Sequence, residues 1–336
     1  MGSDRFLIVK LSSLGDIIHT LPSFSALRRN FPGAEIAWAV EEKGKEILDL
    51  VPGLSEVVVI HPKNWLSQAK VLRRRDQVAL DFQGLVKSGL LAYLSRARRR
   101  IGFHWKNCKE PLASVFYTER AAPLPEEERH VIAKNLSLLT CLGIQEEKFE
   151  FSISLPEELN RSVEAKLRER GYDRNMKLLL FNLGAAWETK RWFVEKWAAL
   201  IRQTHFPGSF PLLLWGNARE RALALAVQDK TNVAMTPFLS VKEVMALIKK
   251  TSLLISGDTF ALQAACALSV PVVGLFGPTS PRRNGPFRGE DRVVFQKLDC
   301  GPCYKKSCST LDCLHRLTSE EAAAAVRDLW LSHEQD

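Results

Sequence analysis

Four short segments of this 336-residue chain carry side chains whose types and spacing could do chemistry. The first is Ser12-Ser13-Leu14-Gly15-Asp16, directly after the apolar run Phe6–Leu11. Open α/β sheets bind ligands beyond the carboxyl ends of their strands, so a carboxylate there is placed to take a proton. Capping of the following helix explains Asp16 as well. The second is Gly184-Ala185-Ala186-Trp187-Glu188-Thr189-Lys190-Arg191-Trp192, after the run Lys177–Phe181. Its small residues permit close backbone approach, and Lys190 and Arg191 put positive charge just before a helix. That suits a phosphate leaving group, although a solvated basic turn has the same composition. The third, Ser256-Gly257-Asp258-Thr259, joins a strand to a helix whose first N–H groups and dipole favour an anion; a plain N-cap at Asp258 or Thr259 is the other reading. The fourth is Trp215-Gly216-Asn217 with Glu220, a carboxylate that could accept from ribose hydroxyls or simply sit on the surface.

Several motifs are absent. No Gly-x-Gly-x-x-Gly follows the first strand, and Gly84-Leu85-Val86-Lys87-Ser88 lacks the spacing of a phosphate-binding Walker loop. No Asp-x-Asp occurs, so Lys190 and a helix N-terminus would have to neutralise a diphosphate. Cys300-x2-Cys303-x4-Cys308-x4-Cys313 crowds four of the seven cysteines together. Four thiolates could make a structural zinc site; free thiols or disulfides are the alternatives, since a second Cys-x-x-Cys is missing.

The elements that must position these residues alternate. Phe6–Leu11, Glu35–Val40, Val57–Ile60 and Val78–Phe82 read as strands, with helices between them and one from about Leu85 to Arg96. The pattern restarts near residue 177 with strands at Lys177–Phe181, Pro211–Trp215, Leu253–Ile255 and Val270–Phe276. Two doubly wound α/β domains are expected: residues 1–172, residues 173–317, and a closing helix in 318–336 opened by the capping box Thr318-x-x-Glu321. A cleft between two such domains would offer a carboxylate on one side and phosphate- and ribose-binding groups on the other. That division suits sugar transfer from a nucleotide diphosphate.

Composition agrees with an ordinary globular protein: 46% hydrophobic and 25% charged residues exclude a disordered chain, a collagen-like repeat and a coiled coil. The 47 Lys and Arg outnumber the 38 Asp and Glu, a net charge of +9 that favours anionic partners. No stretch reads as a membrane span or secretory signal, so a cytoplasmic protein or one peripherally attached from inside is expected. Arg73-Arg74-Arg75 and Arg96-x-Arg98-Arg99-Arg100 are either solvated surface or attraction to anionic lipid.

The stretch Ile8-Val-Lys-Leu-Ser-Ser-Leu-Gly-Asp16-Ile-Ile-His-Thr-Leu-Pro22 resembles the amino-terminal motif of lipopolysaccharide heptosyltransferases, glycosyltransferase family 9. Asp81-Phe-Gln-Gly-Leu-Val-Lys-Ser88 and Glu110-Pro-Leu-Ala-Ser-Val-Phe-Tyr117 look like the heptosyltransferase I subgroup. Thr189-Lys-Arg-Trp192, Leu214-Trp-Gly216, Ser256-Gly-Asp-Thr259 and Phe276-Gly-Pro-Thr279 continue the match in order over about residues 5–285. The resemblance implies a GT-B fold, two Rossmann-like domains facing a cleft. It also implies an inverting, metal-independent transfer of heptose from ADP-L-glycero-D-manno-heptose to the Kdo-lipid A inner core, at the cytoplasmic face of the inner membrane. It makes Asp16 the general base and Lys190 a diphosphate ligand. Glu220 is similar in place to a ribose-binding glutamate. Asp258 and Thr259 match the donor motif, with Gly184 and Gln263 beside them, and Ser13, Gly15, Lys87 and Ser88 are candidate acceptor contacts. Phe260 and Gln263 stand where the family commonly has Gly and His, and Ala185 and Ala186 carry no hydroxyl where some members do.

Two other functions fit parts of the sequence. One is a family 9 transferase with a different nucleotide sugar, suggested by Phe260 and Gln263. The other is a non-catalytic nucleotide- or nucleic-acid-binding protein, suggested by the +9 charge. A carboxylate opposite a phosphate clamp argues for the enzyme, and no nucleic-acid module is apparent, so no nucleic-acid partner is expected.

Overall fold

The computed structural model describes residues 4–73, 77–125 and 129–332, and the chain divides into two compact units, Met1–Ser154 and Leu155–Asp336. In the first unit six parallel strands, β1 (Arg5–Val9), β2 (Glu35–Val40), β3 (Glu56–Val59), β4 (Gln77–Asp81), β5 (Arg99–Gly102) and β6 (Glu119–Arg120), lie in the order β3-β2-β1-β4-β5-β6. In the second, β7 (Lys177–Asn182), β8 (Ser209–Leu214), β9 (Ala234–Met235), β10 (Leu253–Gly257), β11 (Val272–Phe276) and β12 (Arg292–Phe295) lie in the order β12-β11-β10-β7-β8-β9. Counted within its own unit, each sheet has the same order, the doubly wound one whose direction of winding reverses between the first and fourth strands.

The sequence dictates this locally. Phe6, Leu7, Ile8 and Val9 are all buried, because helices cover both faces of the sheet and successive side chains point to opposite faces. Leu7, Val9 and Leu11 pack with Leu91 and Ala92 of the helix Val86–Leu94. In the second unit Leu179, Phe181, Leu213 and Ile255 pack with Trp197, Leu200 and Ile201 of the helix Val194–Gln203. Thr318 and Glu321 exchange the expected capping bonds, and the helix Ser319–Ser332 buries Val326, Leu329 and Trp330. Trp330 stacks on Phe206 with ring centroids 4.7 Å apart.

The unit boundary falls after Ser154, not at 172. The helix Glu157–Arg168 belongs to the second unit because it packs on the helix Val241–Lys250. Glu164 on the former accepts from Arg168, Arg174 and Lys250, and Lys166 pairs with Glu243. The closing helix, expected to pack back on the domains, is part of that same unit and joins its core. Four short strands, β5, β6, β9 and β12, are not among those expected from the apolar runs. The arginine run is one of them. Arg99 and Arg100 open β5; Arg99 makes a two-pronged pair with Glu119 of β6 at 2.7 and 2.8 Å, and Arg100 donates to Phe116 O and Ala97 O. Arg96 and Arg98 remain exposed, while Arg74 and Arg75 lie outside the described residues.

Candidate functional site

In a doubly wound sheet the ends of the first and fourth strands flank the crevice where winding reverses, and ligands bind there. In the first unit those ends are the segments after β1 and β4. Parallel pairing sets Val9 opposite Asp81. Beyond β1 the chain turns through Ser12 and Ser13 into the short helix Leu14–Ile18, with Ser13 at the N-cap and Asp16 in the first turn. One carboxylate oxygen of Asp16 accepts from the Ser13 N–H and the Ser13 hydroxyl, both at 3.1 Å. So Asp16 does cap its helix, and its other oxygen makes no such bond among the described residues.

Burial pushes the Asp16 carboxyl up, but the Lys10 ammonium, His19 and the Ser13 bonds outweigh it and hold the group below its usual range. Lys10 is buried on the same strand end and donates to Phe82 O at 2.9 Å. Burial lowers its own proton affinity, with Asp16 and Asp81 acting in the opposite direction. Gln83 Oε1 accepts from the Leu11 and Ser12 N–H groups at 3.1 and 3.3 Å, pinning the loop after β1 to the loop after β4.

Asp81 is fully buried and accepts from Tyr117, Ser88, Gln83 N and Gly84 N at 2.7, 2.8, 2.8 and 3.3 Å. Burial nevertheless lifts its carboxyl above the usual range. Ser88, expected as an acceptor contact, is corrected here: it has no exposed surface, and its hydroxyl joins Asp81 to the first turn of the helix Val86–Leu94. Lys87 stays partly exposed and pairs with Glu41 at 3.2 Å; Ser13 is exposed and Gly15 partly so. Lys10, Gln83 and Tyr117 lie inside the quoted motifs, but residue type and spacing give them no role there: only the fold shows that they are buried at strand ends and bonded to neighbouring loops.

In the second unit the corresponding ends are those of β7 and β10, with Asn182 opposite Ser256. Lys190 Nζ lies 2.7 Å from Asp258 Oδ2 and 4.3 Å from the centre of the Trp187 ring. Asn284 donates to the same Asp258 oxygen at 3.2 Å. Thr259 is the N-cap residue of the helix Phe260–Ala267, yet its hydroxyl bonds Asn182 and Ser256, both at 2.9 Å, instead of the helix. The first N–H groups of a helix have no partner within it, which leaves that end suited to an anion.

Phe260 starts the helix and is not among the residues with positive φ, so no glycine is required there. Gln263 is buried and donates to Asn284 O at 2.7 Å; it bears on Asp258 through Asn284 rather than directly. Gly184 is needed for space. A Cβ there would lie 2.3 Å from the Glu220 carboxyl carbon. Glu220 folds back over it and accepts from Gly216 N at 2.8 Å, on a helix capped by Asn217. A cavity of about 330 Å³ opens beside Glu220, walled by Glu188, Arg191, Trp192, Arg219 and Leu223. The exposed Phe238, 5.8 Å from Trp215 between ring centres, was not anticipated.

The cysteine segment packs against this same loop. Thr189 donates to Lys305 O at 2.7 Å, Lys306 lies over Trp187, and Tyr304 N bonds Pro278 O. All seven cysteines are free thiols, and among the described residues no three His, Cys, Asp or Glu side chains are grouped to hold a metal ion.

Comparison with known proteins decides the family. The model of glycosyltransferase family 9 (heptosyltransferase) matches residues 65–314. The chain belongs to glycosyltransferase family 9. This transferase is 30% identical over 321 residues to lipopolysaccharide heptosyltransferase 1 of Pseudomonas aeruginosa, covering 91% of the chain and 87% of that relative. It is 26% identical to the Escherichia coli K12 enzyme of the same name, over 86% of the chain and 92% of that enzyme. In fold it matches a family 9 transferase from Veillonella parvula (TM-score 0.82, 22% identity, 99% of each chain). It also matches the E. coli heptosyltransferase WaaC with ADP (TM-score 0.77, 22% identity, 97% and 99%). The transferase thus has the GT-B architecture of two Rossmann-like units expected from the resemblance. Among the described residues no helix is long and apolar enough to cross a membrane.

Proposed function

We propose that the transferase moves heptose from ADP-L-glycero-D-manno-heptose to a Kdo hydroxyl of the lipopolysaccharide inner core, by direct displacement with inversion. The observation that carries this reading is the pair of reversal points: a carboxylate held ionised by Lys10 in one unit, and in the other Lys190 and a helix N-terminus with Glu220. Asp16 takes the proton as the Kdo oxygen bonds to the anomeric carbon. The bond to ADP breaks with its electron pair, and Lys190 receives the charge on the leaving diphosphate. Glu220 suits the ribose hydroxyls. The heptosyltransferases 1 of P. aeruginosa and E. coli, and the complex of WaaC with ADP-2-deoxy-2-fluoro heptose, support this donor and this pathway. The acceptor is lipid-borne, so the enzyme works peripherally at an anionic membrane face.

The deciding experiment measures ADP release from ADP-heptose with and without Kdo-lipid A. Acceptor-dependent release is expected. No release by folded protein, with release from another nucleotide sugar, would move the assignment to a different donor.

Lys10→Met removes the cation nearest in effect to Asp16 while burial stays. The Asp16 carboxyl then rises, so the acid limb of the kcat/KM profile is expected to move to higher pH. An unmoved limb would show that the Lys10 charge does not act on Asp16. Gly184→Ala forces Glu220 out of its place, since the new Cβ overlaps its carboxyl. Affinity for ADP, read by calorimetry, is expected to fall about tenfold, on the order of one lost charged hydrogen bond.

A further inference from the structure

Among the described residues of the first unit, several large apolar side chains gather, exposed, on one surface. Pro111–Phe116 is a 3-10 helix, so residues three apart share a face. Ala113 and Phe116 face inward onto the helix Val86–Leu94, where Gly89 makes room: a Cβ there would lie 3.0 Å from both Ala113 O and the Phe116 ring. The outer face presents Leu112 and Val115, 70% and 66% exposed. Tyr93, on the same helix as Gly89, is 52% exposed and lies 6.1 Å from the Phe116 ring. The turn Trp105–Asn107 packs on the 3-10 helix and exposes half of Trp105.

This apolar surface is threaded with cations. Lys106 lies over Trp105 and Arg100 over Tyr93, each 5.5 Å from the ring centre. Arg96, whose N–H donates to Tyr93 O, is exposed as well. The nearby acids are engaged: Glu119 is paired with Arg99, and Glu110 accepts from Val86 N at 2.7 Å.

We propose that this surface docks the transferase on an anionic lipid bilayer. Leu112 and Val115 enter the acyl boundary, Trp105 and Tyr93 lie at headgroup level, and Lys106 and Arg96 meet lipid phosphates. A second copy of the chain would set cation against cation, whereas an anionic membrane complements both the charge and the apolar face. The surface also continues into the acceptor side of the unit. Glu110 N donates to Gly84 O, one turn before Lys87. This deepens the reading of a lipid-borne acceptor, but vesicle binding is measured with neither donor nor acceptor, so either can fail alone.

The test is co-sedimentation of the full chain with phosphatidylethanolamine vesicles containing about a quarter phosphatidylglycerol, against phosphatidylcholine vesicles. Wild type is expected to bind the anionic vesicles and release in salt. Leu112→Ser with Val115→Ser is expected to lower the partition coefficient about tenfold or more, with an unchanged thermal melt. Lys106→Gln with Arg96→Gln is expected to weaken binding to the anionic vesicles alone. Equal binding to both vesicles, or none, overturns the proposal, as does a serine variant that binds like wild type. A wild-type dimer in solution that the serine variant converts to monomer would assign the surface to a second copy instead.

Discussion

Asp16→Asn is expected to lower kcat by about 10²- to 10⁴-fold while KM for either substrate changes little. The amide keeps the shape of the carboxylate and can still accept from the Ser13 N–H and hydroxyl, so the short helix keeps its cap. What it loses is the capacity to take a proton. Because the Asp16 carboxyl is held below the usual range, wild type carries it ionised throughout neutral pH, and in the proposed role of Asp16 the activity should decline in acid. The asparagine variant should show no such acid limb. Stopped ADP release across pH, measured for both proteins, checks this. A kcat within a few-fold of wild type would remove Asp16 from the proton transfer.

Lys190→Met is expected to weaken ADP binding by about 10²-fold or more. Two losses combine. In the proposed role of Lys190 the diphosphate loses its ammonium partner, and Asp258, whose side chain is 9% exposed, loses its ion pair and is left with the Asn284 donor. The site changes from attracting an anion to repelling one. Adding Asp258→Asn to the methionine variant should recover part of the loss, because it removes the repulsion while leaving the Asn284 side. Calorimetric ADP titrations of wild type, both single variants and the double variant form the cycle that separates the two effects. A double variant no better than Lys190→Met would show that Asp258 acts only on Lys190 and not on the donor.

Much of the fold is legible in the sequence. Runs such as Phe6–Val9 and Lys177–Phe181 are apolar at successive positions because strands covered on both faces must bury every side chain, and that signal survives without context. The short strands Arg99–Gly102, Glu119–Arg120 and Arg292–Phe295, which open on charged residues, left no such continuous signal. Their polar residues are satisfied by partners remote in sequence, as Arg99 is by Glu119 and Arg292 by Asp328. The unit boundary was misplaced for a related reason: Glu157–Arg168 is charged on its surface, and only its packing on Val241–Lys250 assigns it to the second unit.

By itself the sequence determined that two α/β units alternate strand and helix, and that Asp16, Lys190, Glu220 and Asp258 follow strand ends. These are properties of neighbouring residues, and short-range sterics and hydrophobic period express them directly. Only the tertiary structure decided which of these loops meet. Parallel pairing of the first and fourth strands in each unit sets Val9 beside Asp81 and Asn182 beside Ser256. That pairing pins the Leu11 and Ser12 N–H groups to Gln83 and gives Asp258 to Lys190. Such choices depend on sheet order and on the desolvation of groups far apart in the chain, and no local pattern of residues records them.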